Sequence, residues 1–117
     1  MWQGVDKRRF PRIKVKCQIC IQKHDLLINA FTENIGIGGV CLYTDIKVPL
    51  FEDLDVKLFF EKKQLDFKGT VVWVIENKKI CGAEKNELGI EFSNIDQQLL
   101  ISFSQEIEKL TKSMTIS

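Results

Sequence analysis

Apolar and polar residues alternate strictly near the N-terminus of this 117-residue chain. The apolar residues occupy every odd position of one segment: Ile13, Val15, Cys17, Ile19 and Ile21. Side chains alternate between the two faces of a β-strand, so the pattern predicts a strand over residues 13–21 with one face buried. Because a strand is stable only beside other strands, the chain is expected to form a sheet.

Further short strands are predicted along the rest of the chain, separated by polar turns. They cover residues 26–32, 40–44, 55–60, 65–69, 70–75 and 88–92, with turns at 61–63 and 76–79. No helical periodicity separates these strands. The pattern therefore indicates an antiparallel barrel or a sandwich.

The periodicity becomes helical near the C-terminus. Apolar residues recur there at helical spacing: Ile95, Leu99, Leu100, Phe103, Ile107 and Leu110. Asn94 and Gln97 are predicted to form a capping pair at the start of this segment. We predict one domain over 1–117, with a flexible basic segment 1–12, a β region 13–93 and an amphipathic helix 94–112. The helix either packs on the sheet or serves as a dimer contact.

The positive charge is concentrated at the N-terminal end. Residues 1–24 contain seven Lys and Arg side chains and one acid, whereas the other 93 residues contain ten Lys and Arg and fifteen acids. A protein that binds DNA or RNA over its whole surface is usually basic throughout, so we expect no nucleic-acid partner. A cationic end on an acidic body favours either a small anionic ligand or a solubilising basic segment.

Short apolar runs and the cysteine content indicate a cytoplasmic protein. Runs such as 71–75 are far too short for a transmembrane helix, and the first residues lack the apolar core of a signal peptide. We therefore expect no membrane insertion. Four cysteines without a secretion signal are typical of the reducing cytoplasm.

No residue pattern predicts an enzyme or a metal site. Cys17 and Cys20 form a C-x-x-C pair, but residues three apart on a strand point to opposite faces. Cys41 and Cys81 stand alone. The sequence shows neither a nucleophile motif nor a distinct pair of carboxylates. We expect a protein that is not an enzyme and that needs no metal or cofactor.

Two segments predict a binding site for a phosphate-containing ligand. Arg8 and Arg12 form R-x-x-x-R just before the first strand, and the planar fork of arginine binds phosphate or the O6/N7 edge of guanine. In residues 34–39, Asn-Ile-Gly-Ile-Gly-Gly, Asn34 offers a donor and an acceptor to another guanine edge. The three glycines either supply positive φ angles to a hairpin turn or let a ligand approach the backbone.

These segments resemble the PilZ domain family of bacterial cyclic di-GMP receptors. The family pairs R-x-x-x-R with a later D/N-x-S-x-x-G, and here Arg8 to Arg12 is followed by residues 34–39. Residues 71–74, Val-Val-Trp-Val, and 88–92, Leu-Gly-Ile-Glu-Phe, are similar to the closing strands of that family. The resemblance covers residue 7 to about 110. It implies a six-stranded antiparallel β-barrel with a C-terminal α-helix.

The resemblance also implies a role for each matching residue. Arg8 and Arg12 would hold guanine and phosphate, and Asn34 would bond guanine. Gly39 would leave room at the backbone. Gly36 stands where the family has a serine, so one hydroxyl partner of the ligand is missing. The further candidates are Arg9 and Lys7 as helpers, and Trp73 as either a flank of the ligand or part of the barrel wall.

The function implied by the resemblance is that of a non-catalytic cytoplasmic cyclic di-GMP sensor. Since the sequence shows no output domain, we expect it to signal through an unidentified partner protein, as a monomer or a dimer. The departure at Gly36 favours an alternative, a PilZ-like adaptor that binds no nucleotide and acts through protein contacts. Nonspecific RNA binding is a third alternative, which the acidic remainder of the chain disfavours.

Overall fold

Seven β-strands precede one α-helix in the computed structural model, which describes residues 12–24, 26–93 and 95–115. The strands are β1 Arg12–Lys14, β2 Gln18–Lys23, β3 Leu26–Gly36, β4 Gly39–Thr44, β5 Asp53–Phe60, β6 Lys63–Ile80 and β7 Ala83–Ser93, and the helix α1 is Gln97–Thr115.

Six of these described strands form one closed antiparallel barrel. Their order around the ring is β3-β2-β5-β6-β7-β4, and the pairing of β4 with β3, for example Val40 with Ile35, closes it. A single sheet that closes on itself excludes the sandwich. The short strand β1 lies on the β2 side of β3, where Arg12 pairs with Gly36. The predicted six-stranded barrel with a C-terminal helix is confirmed.

The alternating segment 13–21 is interrupted between β1 and β2. The hydroxyl of Thr32 on β3 accepts a hydrogen bond from the Cys17 N–H at 2.9 Å and donates one to the Val15 carbonyl at 2.6 Å. These side-chain bonds compete with the regular strand ladder at this point. Ile19 and Ile21 are nevertheless fully buried. The predicted single strand is thus two strands that share one inner face.

Strand β6 is longer than the sequence pattern predicts. The pattern predicts separate strands at 65–69 and 70–75 with a turn at 76–79, but the strand runs unbroken over Lys63–Ile80. The chain turns at residues 81 and 82 instead, where φ is 51° and 86°. Two consecutive positive φ angles are typical of a type I′ hairpin turn. The prediction of a turn at 76–79 was wrong.

A bulge explains why residues 76–79 resemble a turn in the sequence. Asn77 has a φ of 56°, and the register of β6 with β7 shifts between Ile75 and Lys78. The N–H of Asn77 donates to the side-chain oxygen of Asn86 at 3.1 Å. This local polar geometry, which asparagine favours, occurs inside a strand here rather than at its end.

Helix α1 packs against the barrel through an aromatic cluster. Phe103 is fully buried and meets the ring of Phe67 edge-on, with the ring centres 4.9 Å apart. Phe92 stacks on Phe67 at 4.3 Å. Burial of each such ring contributes about 1.5–3 kcal/mol. Leu100 is 38% exposed and does not belong to the buried stripe that the periodicity predicts.

The first turn of α1 is capped by Asp96. The Leu99 N–H donates to the Asp96 carboxylate at 2.8 Å, which is the geometry of an N-cap. Asn94, part of the predicted capping pair, lies outside the described residues. Within the described residues, no helix has both the length and the apolar character needed to span a membrane.

Candidate functional site

Three neighbouring strands bring together the described part of the predicted site. Gly36 of β3 pairs with Arg12 of β1 on one side and with Gly39 of β4 on the other. Asn34, two residues back on β3, pairs with Lys14 of β1. We call Arg12, Asn34 and residues 36–39 the arginine–glycine patch. The remaining basic candidates lie outside the described residues: Lys7, Arg8 and Arg9.

Asn34 holds the guanidinium of Arg12 in place. Nη1 of Arg12 donates to Oδ1 of Asn34 at 2.6 Å. Burial lowers the pKa of Arg12 and outweighs an opposite effect of Cys41, yet a guanidinium stays protonated in proteins. With its oxygen bonded to Arg12, the Asn34 amide can offer N–H donors to a ligand. Asn34 thus orients Arg12, a role that the sequence does not predict.

Gly38 and Gly39 of the patch have different surroundings. Of the described glycines, only Gly82 has a positive φ, so the interpretation that Gly36, Gly38 and Gly39 supply such angles is wrong. A Cβ at Gly39 would lie 2.2 Å from the carbonyl oxygen of Ile90, and β7 therefore occupies the room beside Gly39. A Cβ at Gly38 would meet nothing within 4 Å. Neither φ nor packing requires glycine at position 38.

A bulge in β6 places Trp73 on the outer face of the barrel. One extra residue, Val72, shifts the register with β7 and reverses the inward and outward alternation. The indole covers Gly89, where a Cβ would be 2.2 Å from ring carbon Cδ2. Gly89 pairs with Cys41, and Cys41 pairs with Asn34. Trp73 is therefore part of the barrel wall, and these cross-strand pairs connect it to Asn34 of the arginine–glycine patch.

Glu87 is a buried carboxylate that fixes the orientation of Trp73. It is 8% exposed and accepts hydrogen bonds from Trp73 Nε1 at 2.9 Å and from Lys78 Nζ at 2.5 Å. Burial raises its pKa, but these hydrogen bonds, the positive charge of Lys78 and a hydrogen bond from Cys41 together hold the pKa below its usual value. The bond to Glu87 raises the pKa of Lys78, whose ammonium lies 5.7 Å from the centre of the Tyr43 ring.

The sequence offers one weak signal for this role of Glu87. It is an acid that directly precedes the strand segment 88–92, Leu-Gly-Ile-Glu-Phe. Its partners Trp73 and Lys78 lie on another strand. Only the pairing of β6 with β7 brings the three side chains together, so no spacing in the sequence marks them as a set.

Two buried cysteines, Cys17 and Cys41, are poorly suited to redox or metal chemistry. Burial raises the pKa of Cys17 to about 11 and, with a further contribution from Glu87, that of Cys41 to about 12. The Cys17 thiol donates to the Phe59 carbonyl at 3.1 Å. A thiol that stays protonated is a poor nucleophile and a poor metal ligand. Within the described residues, no group of three or more His, Cys, Asp or Glu side chains could hold a metal ion.

The PilZ domain family matches residues 6–110, which include both motif segments and the whole barrel. The chain belongs to the PilZ domain family. The resemblance seen in the sequence is confirmed. No curated protein matches the chain.

Three solved structures share the fold of this PilZ domain at low sequence identity. The inhibitor of motility from Bacillus subtilis (MotI/DgrA) has a TM-score of 0.74 and 17% identity, over 90% of this chain and 52% of that one. The MrkH–c-di-GMP complex of K. pneumonia has a TM-score of 0.73 and 16% identity, over 92% and 55%. The PilZ domain of YcgR from Escherichia coli, with c-di-GMP, has a TM-score of 0.70 and 18% identity, over 94% and 99%. This PilZ domain spans about half the length of the first two proteins.

Proposed function

We propose that this PilZ domain is a non-catalytic receptor for cyclic di-GMP and binds the ligand at the arginine–glycine patch. The observation that carries the proposal is the hydrogen bond between Arg12 and Asn34, which positions a guanidinium on the strand that pairs with Gly36. Two of the similar structures, MrkH and the PilZ domain of YcgR, contain c-di-GMP.

The chemistry of the patch complements a guanine nucleotide in three ways. The Arg12 fork matches either a phosphate or the paired O6 and N7 acceptors of guanine. The amide N–H groups of Asn34 match the same type of acceptor on a second edge. The exposed Gly38 has no side chain that would separate a bound phosphate from the backbone.

The other predicted residues would surround the ligand in this proposal. Trp73, held by Glu87, would bound the patch on the β6 side. Gly39 would act indirectly, because its lack of a side chain lets β4 lie close to β7. The remaining cations would come from the basic segment and close over the ligand: Lys7, Arg8 and Arg9.

We further propose that the chain 1–117 works as a single domain in the cytoplasm and passes the signal to a partner protein. The basic segment 1–12 would contact the ligand, the barrel 13–93 would carry it, and the helix 94–112 would complete the core. A receptor that is not an enzyme acts by changing the surface that it presents to another molecule. No cofactor, DNA or RNA takes part in this proposal, and the chain would act as a monomer or a dimer.

Gly36 favours a second candidate function. It stands at the position of the family serine and has no hydroxyl to donate to a ligand. A PilZ domain that has lost nucleotide binding would act as an adaptor through protein contacts alone. The arrangement of Arg12 and Asn34 favours the receptor, because an adaptor has no need for a positioned guanidinium.

Calorimetric titration with cyclic di-GMP distinguishes the two functions, with GTP and cyclic di-AMP as controls. We expect saturable binding of cyclic di-GMP and weaker or no binding of the controls. Chromatography of the nucleotide after incubation should show it unchanged, as a receptor without catalytic activity requires. Absence of both heat and amide chemical-shift changes at millimolar nucleotide would leave the adaptor as the function.

Substitution of Arg12 tests the site itself. Arg12→Ala removes charge-assisted bonds worth about 1.5–3 kcal/mol and should weaken cyclic di-GMP binding about 10- to 150-fold. Lys62→Ala is the matched control, since it removes one exposed positive charge from the turn between β5 and β6. Equal weakening by both variants would show that general charge attraction, rather than the patch, explains the affinity.

A further inference from the structure

The seam between β3 and β4 is open along half of β3. Strand β2 pairs with residues 26–31 of β3, whereas β4 pairs with β3 only over residues 32–36. In the described part of the chain, residues 26–31 therefore have a strand on one edge and none on the other. A fully closed barrel has no such edge.

The end of β4 and the residues that follow it are held against β7 rather than β3. Thr44 pairs with Asn86 of β7. The side-chain amide of Asn86 donates to the Ile46 carbonyl at 3.2 Å, and the Ile46 N–H donates to the Thr44 hydroxyl at 3.2 Å. These bonds draw residues 44–46 away from β3. The result is a groove of about 340 Å³, bordered by residues 27–31 on one side and 43–46 on the other.

Backbone groups of β3 point into this groove. The Thr32 N–H donates to the Cys17 carbonyl, on the side of β3 that pairs with β1 and β2. Backbone groups along an antiparallel strand alternate between its two neighbours. Leu27 and Asn29 therefore direct their N–H and C=O groups to the opposite side, toward the groove. We call residues 27–31 the open edge.

Two large apolar side chains flank Asn29 on the outer face of the open edge. Leu27 is 53% exposed and Phe31 is 60% exposed. The segment 26–31, Leu-Leu-Ile-Asn-Ala-Phe, contains no charged residue and no proline. Proteins usually protect an exposed strand edge with charged residues or proline. The open edge is thus chemically suited to pairing with another strand.

We infer that the open edge binds an extended peptide segment of a partner protein, which adds to β3 as a further strand. A row of alternating N–H and C=O groups is best satisfied by another extended chain. Leu27 and Phe31 lie on one face and favour apolar side chains at alternate positions of the peptide. The Lys85 ammonium already pairs with Asp45 in the groove at 2.9 Å, which favours a peptide segment without excess charge.

A second copy of the chain fits the open edge less well than a peptide does. Residues 43–46 border the groove, and a second copy would bring its own residues 43–46 into the same space. A linear segment has no such flanking loop. The inference goes beyond nucleotide binding, because the open edge lies at the end of β3 away from Gly36 and needs no ligand at the arginine–glycine patch.

Selection of a random peptide display library on the full chain tests the inference. We expect the enriched peptides to shift the amide signals of Leu27, Asn29 and Phe31 and to slow their hydrogen exchange. Proline at alternate peptide positions should abolish binding, because proline donates no backbone hydrogen bond. In the free chain, the Leu27 and Asn29 amides should exchange rapidly.

Two variants and one control locate the peptide. Phe31→Lys and, separately, Leu27→Lys place a charge on the open edge and should each weaken peptide binding by about tenfold or more. Ile101→Lys changes a side chain of α1 that is 51% exposed and should leave peptide binding unchanged. Cyclic di-GMP titration of Phe31→Lys should match that of the parent chain, so failure of the open edge and failure of the nucleotide site are distinguishable.

Several results would overturn the inference. One is a library that yields no enriched peptide, and another is enriched peptides that shift amides elsewhere on the barrel. Protection of the Leu27 and Asn29 amides in the free monomer would show that the chain covers its own edge. Protection that grows with protein concentration, together with a dimer in sedimentation, would show that a second copy occupies it.

Discussion

Two adjacent glycines should respond in opposite ways to the addition of one methyl group. Gly38 and Gly39 are consecutive in the sequence, and neither has a positive φ. The Gly38 carbonyl accepts a hydrogen bond from the Phe92 N–H at 2.9 Å, so β7 holds the turn in place. The comparison of Gly38→Ala with Gly39→Ala therefore isolates the effect of packing from that of backbone conformation.

The structure sets the size of each effect. In Gly39→Ala the new Cβ would lie 2.2 Å from the Ile90 carbonyl oxygen, so β4 and β7 must separate. Overpacking of this kind costs about 1–3 kcal/mol. In Gly38→Ala the methyl group meets nothing within 4 Å. Loss of backbone freedom in the unfolded chain should then stabilise the protein by about 0.4–1 kcal/mol. The free energies of unfolding of the two variants should differ by about 1.4–4 kcal/mol.

Urea denaturation of the parent chain and both variants measures these differences directly. Thermal melting should agree, at about 4 °C per kcal/mol for a domain of this size. Cyclic di-GMP titration of Gly38→Ala adds a second result, since a methyl group over the exposed backbone should weaken binding while it raises stability. Equal destabilisation by both variants would refute the assigned register of β4 and β7. Equal stability would refute the close contact at Ile90.

Three further substitutions test individual contacts of the site. Asn34→Ala should reduce discrimination between cyclic di-GMP and cyclic di-AMP by about 1–3 kcal/mol in competition binding, and an unchanged ratio would limit Asn34 to the orientation of Arg12. Gly36→Ser restores the family hydroxyl at a residue without positive φ and should tighten cyclic di-GMP binding about two- to twelvefold in calorimetry. If Gly36→Ser melts like the parent chain and binds cyclic di-GMP no more tightly, the ligand does not contact a side-chain hydroxyl at position 36. Glu87→Gln removes a carboxylate whose pKa is lowered in the fold. The stability that it contributes is present above the unfolded-state pKa of about 4.3 and is lost as pH falls through the lower folded pKa. The difference in unfolding free energy between parent and variant should therefore shrink on acidification, and a difference independent of pH would contradict the ionised Glu87.

Most of the fold and part of the candidate site could be predicted from local patterns. The alternation of apolar and polar residues in a strand can be recognised within a few positions, so the sequence predicts the buried face at Ile19 and Ile21. The helical spacing around Phe103 is equally local. The similarity to the family pattern associated Arg12 with Asn34, and β1 and β3 bring the two side chains together.

The features that escaped prediction depend on contacts between distant residues. The extra residue Val72 turns Trp73 to the outer face, and only the register of β6 with β7 defines it as a bulge. Glu87 becomes a hydrogen-bond acceptor for Trp73 because the two strands pair. Gly39 is needed because of the Ile90 carbonyl, which lies on another strand.

Local patterns in the sequence predict most of the strands, the helix and the family that the chain resembles, because these properties depend on side chains a few positions apart. Contacts between distant residues set which strands are neighbours, where each bulge falls and where β3 lacks a neighbour among the described strands. Residues 26–31 show the difference most clearly. Their apolar composition predicts a strand, but Asn86 bonds to residues 44–46, and among the described residues that strand has no second partner. Those bonds join segments 40 residues apart in the sequence, so no local pattern contains them.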